Sequence, residues 1–111
     1  MDRERGKTSW YPFVARAELL VENSNLQLTT RICELSLSGC HLLLTDSMPP
    51  GISVLVKVYA WPHFFQARGT VYQWERGRGI GVTFEKIASH FTSAFEACLL
   101  EAEHNQLKNG N

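Results

Sequence analysis

Apolar and polar residues alternate along most of this chain with a period of two. Phe13, Ala15, Ala17, Leu19 and Val21 share one parity, and Val14, Arg16, Glu18 and Leu20 share the other. Successive side chains of a strand point to opposite faces, so the segment from Pro12 reads as a half-buried strand. Glu22-Asn23-Ser24-Asn25 is a turn cluster. Leu26 to Leu35 predicts a second strand, with Thr29, Thr30 and Ile32 as β-branched members. Ser36-Leu37-Ser38-Gly39 breaks the pattern sharply. Cys40 to Thr45 predicts a short third strand, in which His41 is the polar exception and is expected at a strand edge. Asp46 to Gly51 holds Pro49 and Pro50 and can be neither helix nor central strand.

Ile52 to Ala60 predicts a fourth strand, with Val54, Val56 and Val58 on one face and Ser53, Lys57 and Tyr59 on the other. Trp61-Pro62-His63 turns the chain into a long fifth strand, Phe64 to Glu75, where Gly69 marks a bend or a close backbone approach. Arg76-Gly77-Arg78-Gly79 is a tight connection to a sixth strand, Ile80 to Phe84. The period then changes. From Ser89, a plausible N-cap, to about Leu107 the composition is helical, and Phe91, Phe95, Cys98 or Leu99, and Ala102 form a stripe able to cover one end of a barrel. The fold class is therefore all-β dominated: six antiparallel strands in a barrel or sandwich, followed by a C-terminal α-helix.

With 111 residues the chain fits one domain, expected as a polar leader over 1–10 and a folded unit over 11–107. Eleven basic and eleven acidic residues cancel, which argues against a DNA- or RNA-binding domain. The start, Met1 to Lys7, is charged and has no apolar run behind it, so it is not a secretory signal, and no stretch is apolar enough to insert in a membrane. The opening at Met1 favours a free-standing protein. Cys33, Cys40 and Cys98 are odd in number and widely spaced, giving neither a disulfide framework nor a metal pair. They read as buried small hydrophobes in a cytoplasmic protein. No nucleophile elbow, metal-ligand spacing or cofactor motif is present, so no enzyme is expected, with no catalytic residues, metal or cofactor. Gly77-x-Gly79-x-Gly81 leads into Val82-Thr83-Phe84, a strand pattern, and reads as a hairpin rather than a dinucleotide loop.

One corner carries more chemistry. Glu34-Leu35-Ser36-Leu37-Ser38-Gly39 sets an acid, a hydroxyl and a glycine where two strands meet. Such a corner can hold a polar ligand, or it can be a tight turn capped by its own serine. With its surroundings it resembles the PilZ domain. Glu34, Ser36 and Gly39 occupy the places of that family's Asp/Asn-x-Ser-x-x-Gly signature. Tyr11-Pro12-Phe13-Val14-Ala15 is similar to its opening strand. Phe65-Gln66-Ala67-Arg68-Gly69-Thr70-Val71 and Gly79-Ile80-Gly81-Val82-Thr83-Phe84 are similar to its late strands. The resemblance covers about residues 10–103 and implies a six-stranded split barrel with a C-terminal helix.

It also implies a function. PilZ domains are known as receptors for cyclic di-GMP, a bacterial second messenger, which they clasp with an Arg-x-x-x-Arg pair in the leader and support with the serine corner. Here Gly6 and Trp10 fall where the arginines belong. Arg3, Arg5 and Lys7 are near but out of register, and the acid is Glu34 rather than Asp or Asn. A hydrogen bond to a charged group contributes about 1.5–3 kcal/mol, so two lost contacts weaken binding roughly 10²- to 10⁴-fold. Two readings follow from the resemblance. In one, Arg3, Arg5, Lys7, Trp10, Glu34, Ser36 and Gly39 bind cyclic di-GMP, the leader folds onto the barrel, and a protein partner reads the new surface. In the other, a degenerate domain acts by protein contact alone, as an adaptor in motility, pilus or biofilm regulation. Trp10, Tyr59, Trp61, Phe64 and Trp74 would then be candidates for its contact face.

Overall fold

A computed structural model describes residues 9–109 of the chain. Six strands run in the predicted order: β1 Tyr11–Val21, β2 Gln27–Leu35, β3 Gly39–Leu42, β4 Ser53–Ala60, β5 His63–Glu75 and β6 Gly79–Lys86. A 3-10 turn, Ser89–Phe91, leads into helix α1, Thr92–Asn109. The strands close into an antiparallel barrel in the order β1-β2-β3-β6-β5-β4. Every strand is paired on both sides, which removes the exposed sheet edge that invites aggregation.

The alternating pattern decides which residues fill the barrel. Phe13, Ala17 and Leu19 of β1, Ile32 and Leu35 of β2, Val54, Val56 and Val58 of β4, and Phe65, Ala67 and Val71 of β5 are buried. Two segments outside the barrel complete this core. Met48, from the proline-containing loop between β3 and β4, is buried among it, as are Phe95, Cys98 and Ala102 of α1. The helix packs on β5 and β1. Its anchor is Phe95, which meets Phe65 edge-on at 5.3 Å and Phe84 at 5.8 Å between ring centres. Such pairs add about 0.5–1.5 kcal/mol beyond the area they bury.

Three local expectations are revised. Ser89 is not an N-cap. It lies inside the 3-10 turn, behind Ala88, which has no side-chain acceptor, and the backbone alone closes that turn through Phe91 N donating to Ala88 O at 2.9 Å. The third strand is shorter than the apolar run suggested. Leu43 still donates to the Arg31 carbonyl, after which the chain leaves for the proline loop. His41 is not at an edge, because β3 pairs with β2 on one side and β6 on the other. Gly69 does mark an irregularity, a register shift between β5 and β6.

The packing sets an asymmetry within α1. Phe95→Ala should cost about 3–5 kcal/mol of unfolding free energy, whereas Leu100→Ala, on the exposed side, should stay within about 0.5 kcal/mol. Urea denaturation of both variants checks this, and equal costs would mean the helix is seated the wrong way round.

Candidate functional site

The corner between β2 and β3 is built by its own hydrogen bonds. Ser36 is fully buried. Its Oγ accepts from the amides of Ser38 at 3.2 Å and Gly39 at 3.0 Å, and donates to the Gly39 carbonyl oxygen at 3.2 Å. A hydroxyl has one proton and two lone pairs, and all three are occupied within the turn. Gly39 serves the same corner. A Cβ there would collide with the Val82 carbonyl of β6, so the glycine admits a neighbouring backbone rather than a ligand. Of the sequence-predicted site residues, Ser36 and Gly39 therefore contribute the shape of the corner, and neither presents a free polar group.

The exposed chemistry lies on the outer face of the same strands. Glu34 of β2 stands beside His41 of β3, which stands beside Gly81 of β6. A register shift in β5 then leaves both Tyr72 and Gln73 exposed. The Tyr72 ring covers Gly81, and any Cβ at that position would sit 2.6 Å from the ring. This glycine lets the tyrosine hydroxyl reach across one strand to His41 Nε2, at 2.9 Å. His41 Nδ1 is 2.6 Å from Glu34 Oε1. A carboxylate can only accept, so Nδ1 carries a proton and donates to Glu34. In the neutral imidazole the other nitrogen is then the acceptor, and Tyr72 donates to Nε2. Trp10 closes the arrangement by stacking flat on His41, 4.3 Å between ring centres and 13° between planes.

Trp10 and Glu34 are thus brought together through a residue that sequence reasoning did not assign to the site. His41 showed as the polar exception in an apolar strand. Tyr72 gave no signal, because the bulge that turns it outward is a matter of register. Arg3, Arg5 and Lys7 lie outside the described residues. Beside His41 an open groove of about 290 Å³ runs to the β5–β6 hairpin, lined by Cys33, Glu34, Gln73, Glu75 and Arg78 among others. Among the described residues no three of His, Cys, Asp and Glu are grouped to hold a metal ion. Burial pushes the Cys98 thiol up to about 11 and Cys40 higher still, and both stay protonated at neutral pH. Cys40 and Cys98 are buried as expected, whereas Cys33 is half-buried.

The aromatic candidates separate into two groups. Trp10 and Trp74 are half-buried against the barrel. Trp61 is 95% exposed at the β4–β5 turn, and Phe64 is also exposed. Phe64 meets Tyr59 at 4.9 Å and Phe91 at 5.5 Å, making a continuous aromatic row at the surface. Tyr59 is held by Glu18, which accepts from its hydroxyl at 2.9 Å, and by Arg16, 4.5 Å over its ring.

A closed six-stranded antiparallel barrel with one C-terminal helix packed on its wall is a PilZ-like architecture. The solved structures say the same. The chain is similar to the inhibitor of motility MotI/DgrA of Bacillus subtilis, with a TM-score of 0.72 and 15% identity over 93% of this chain and 51% of that one. It is similar to the PilZ domain of CeSA from a cellulose-synthesizing bacterium, with a TM-score of 0.65 and 14% identity over 84% of this chain and 98% of that one. The chain spans about half the length of MotI/DgrA. No family model and no curated protein matches the sequence. The fold is PilZ-like.

Burial raises the pKa of Tyr72, and the negative charge of Glu34 adds to the rise. A phenol whose pKa is raised on folding holds its proton more tightly in the native state. Its contribution to stability is full below the unfolded value of about 10 and is lost as pH climbs through the folded one. In an NMR titration of ring-labelled tyrosine, Tyr72 should reach its midpoint above about 10, and Glu34→Gln should lower that midpoint. A midpoint at or below the ordinary value would break the description of this cluster.

Proposed function

We propose that this chain is a non-catalytic PilZ-fold adaptor, acting in bacterial signalling by protein contact and with its nucleotide corner closed by its own side chains. The observation that carries this reading is the stack of Trp10 on His41 at 4.3 Å, with the Glu34 carboxylate engaged by the same imidazole. Where the family places an arginine, Trp10 offers a single N–H and no charge, so it cannot clasp a phosphate. Glu34 beside it repels a dianion. The corner serine has no bonding capacity left. The exposed Trp61 and Phe64, the latter in a row with half-buried Tyr59 and Phe91, support a contact face, since aromatic side chains of this kind dominate binding energy at protein interfaces. The charge balance fits a partner that is not nucleic acid.

A second reading, a cyclic di-GMP receptor that relays the signal to a partner, is favoured by one observation. Trp10 and His41 form a flat aromatic platform beside a carboxylate, an arrangement on which a guanine can stack and pair its N–H edge. In that reading Arg3, Arg5 and Lys7 neutralise the phosphates, and their joint replacement by alanine abolishes binding.

Calorimetric titration with cyclic di-GMP separates the two. For the adaptor, no heat is expected up to about 1 mM ligand, equivalent to less than about 4 kcal/mol of binding. The double variant Gly6→Arg with Trp10→Arg, which writes the family's pair back into the leader, should gain binding. Micromolar binding by the unmodified chain would overturn the adaptor reading in favour of the receptor.

A further inference from the structure

Helix α1 has two faces. Phe95, Cys98 and Ala102 are buried against the barrel. Ala97, Leu100, His104 and Leu107 follow one another at steps of three and four residues, and at 100° per residue they gather on the opposite side of the helix. That spacing is the a/d seam of a helix that packs on another helix. Leu100 is 65% exposed and Leu107 70%. The helix also outruns its support. Ala102 is its last buried residue, each side chain from Glu103 to Leu107 is exposed, and the backbone stays helical to Asn109, roughly 10 Å further on. A helix end without tertiary packing is only marginally stable in water.

The flanks of the seam select what can cover it. Glu96 and Glu103 lie along one side and Glu101 along the other, all exposed, and Lys108 follows Glu101 seven residues on in the sequence. A second copy of the same face would still set glutamate against glutamate at one flank, with Lys108 the single base to offset it, whereas a partner with basic flanks meets three acids. We propose that the outer face of α1 is a docking site for an amphipathic helix of another protein, with leucine-like residues in its seam and lysine or arginine on both flanks. Leu100 and Leu107 supply the apolar contact, and the three glutamates supply selectivity and steering. This site is separate from the strand corner and stands whichever way the nucleotide titration falls.

The test uses the whole chain and a fluorescently labelled synthetic peptide of three heptads, with leucine at a and d and lysine at e and g. Fluorescence anisotropy should show binding in the range of tens of micromolar. Leu100→Glu with Leu107→Glu should weaken it at least tenfold. Both positions are exposed, so these variants should keep the circular dichroism spectrum of the original. Replacing Glu96, Glu101 and Glu103 by lysine should transfer the preference to a matching peptide flanked by glutamate. The proposal fails if the lysine peptide does not bind at about 1 mM, a strength below about 4 kcal/mol. It fails equally if the leucine variants bind as well as the original, which would mean charge adhesion alone, or if charge reversal leaves the preference unchanged. Sedimentation that shows a dimer broken by Leu100→Glu, without peptide binding, would name a second copy as the occupant.

Discussion

Closure of the barrel depends on the approach of Gly39 to the backbone of Val82. The strand β3 has four residues and must pair on both sides, with β2 and with β6. It can do so only if the chain reverses sharply after β2 and lies directly against β6 as it emerges. Ser36 makes the reversal by bonding the amides of Ser38 and Gly39, and the missing Cβ of Gly39 leaves room for the Val82 carbonyl. The Ser38 carbonyl then receives the Phe84 amide at 2.8 Å, so the corner is tied to β6 by backbone as well as by shape. A larger residue at Gly39 would separate β3 from β6 and open the sheet at its shortest strand.

That constraint changes the meaning of the serine–glycine signature. Its hydroxyl and its glycine are consumed by closure, and they would be needed for the fold in a chain that bound nothing. The face above the corner is not needed for closure. There the chain has placed Glu34, His41, Tyr72 and Trp10, which satisfy one another. The carboxylate fixes the tautomer of the imidazole, the imidazole accepts the phenol, and the indole covers the ring. A preorganised network of this kind resists insertion of a ligand, because the ligand must replace each bond it displaces.

Much of this architecture was legible because a single rule, alternation, governs nearly all of it. The parity that buries Val54, Val56 and Val58 is visible in the residues themselves, and so is the change to helical spacing at Phe91 and Phe95. The site was less legible because it depends on relations between strands. Nothing local says that His41 faces Gly81, or that a bulge after Val71 turns Tyr72 over that glycine. The glycine run from Gly77 to Gly81 was rightly read as a hairpin, but Gly81 has a further use as the floor beneath an aromatic ring. Ser89 was misread for the opposite reason. Its local pattern is that of a cap, and the backbone closes the turn one residue earlier.

The barrel and the helix divide the work of presenting surface. A closed sheet offers no edge to which a partner strand can add, so recognition by strand pairing is unavailable to this fold among its described strands. A partner chain would then be met by side chains standing on the wall or by the helix outside it. The wall offers the aromatic row around Phe64, held in place by Arg16 and Glu18 through Tyr59. The helix offers a face whose inner counterpart is fixed by Phe95. Because Phe65 and Phe84 hold that residue from two directions, α1 cannot roll to bury Leu100 without breaking both aromatic contacts. Leu100 and Leu107 therefore stay outward because of the core, and their exposure is a property of the folded domain.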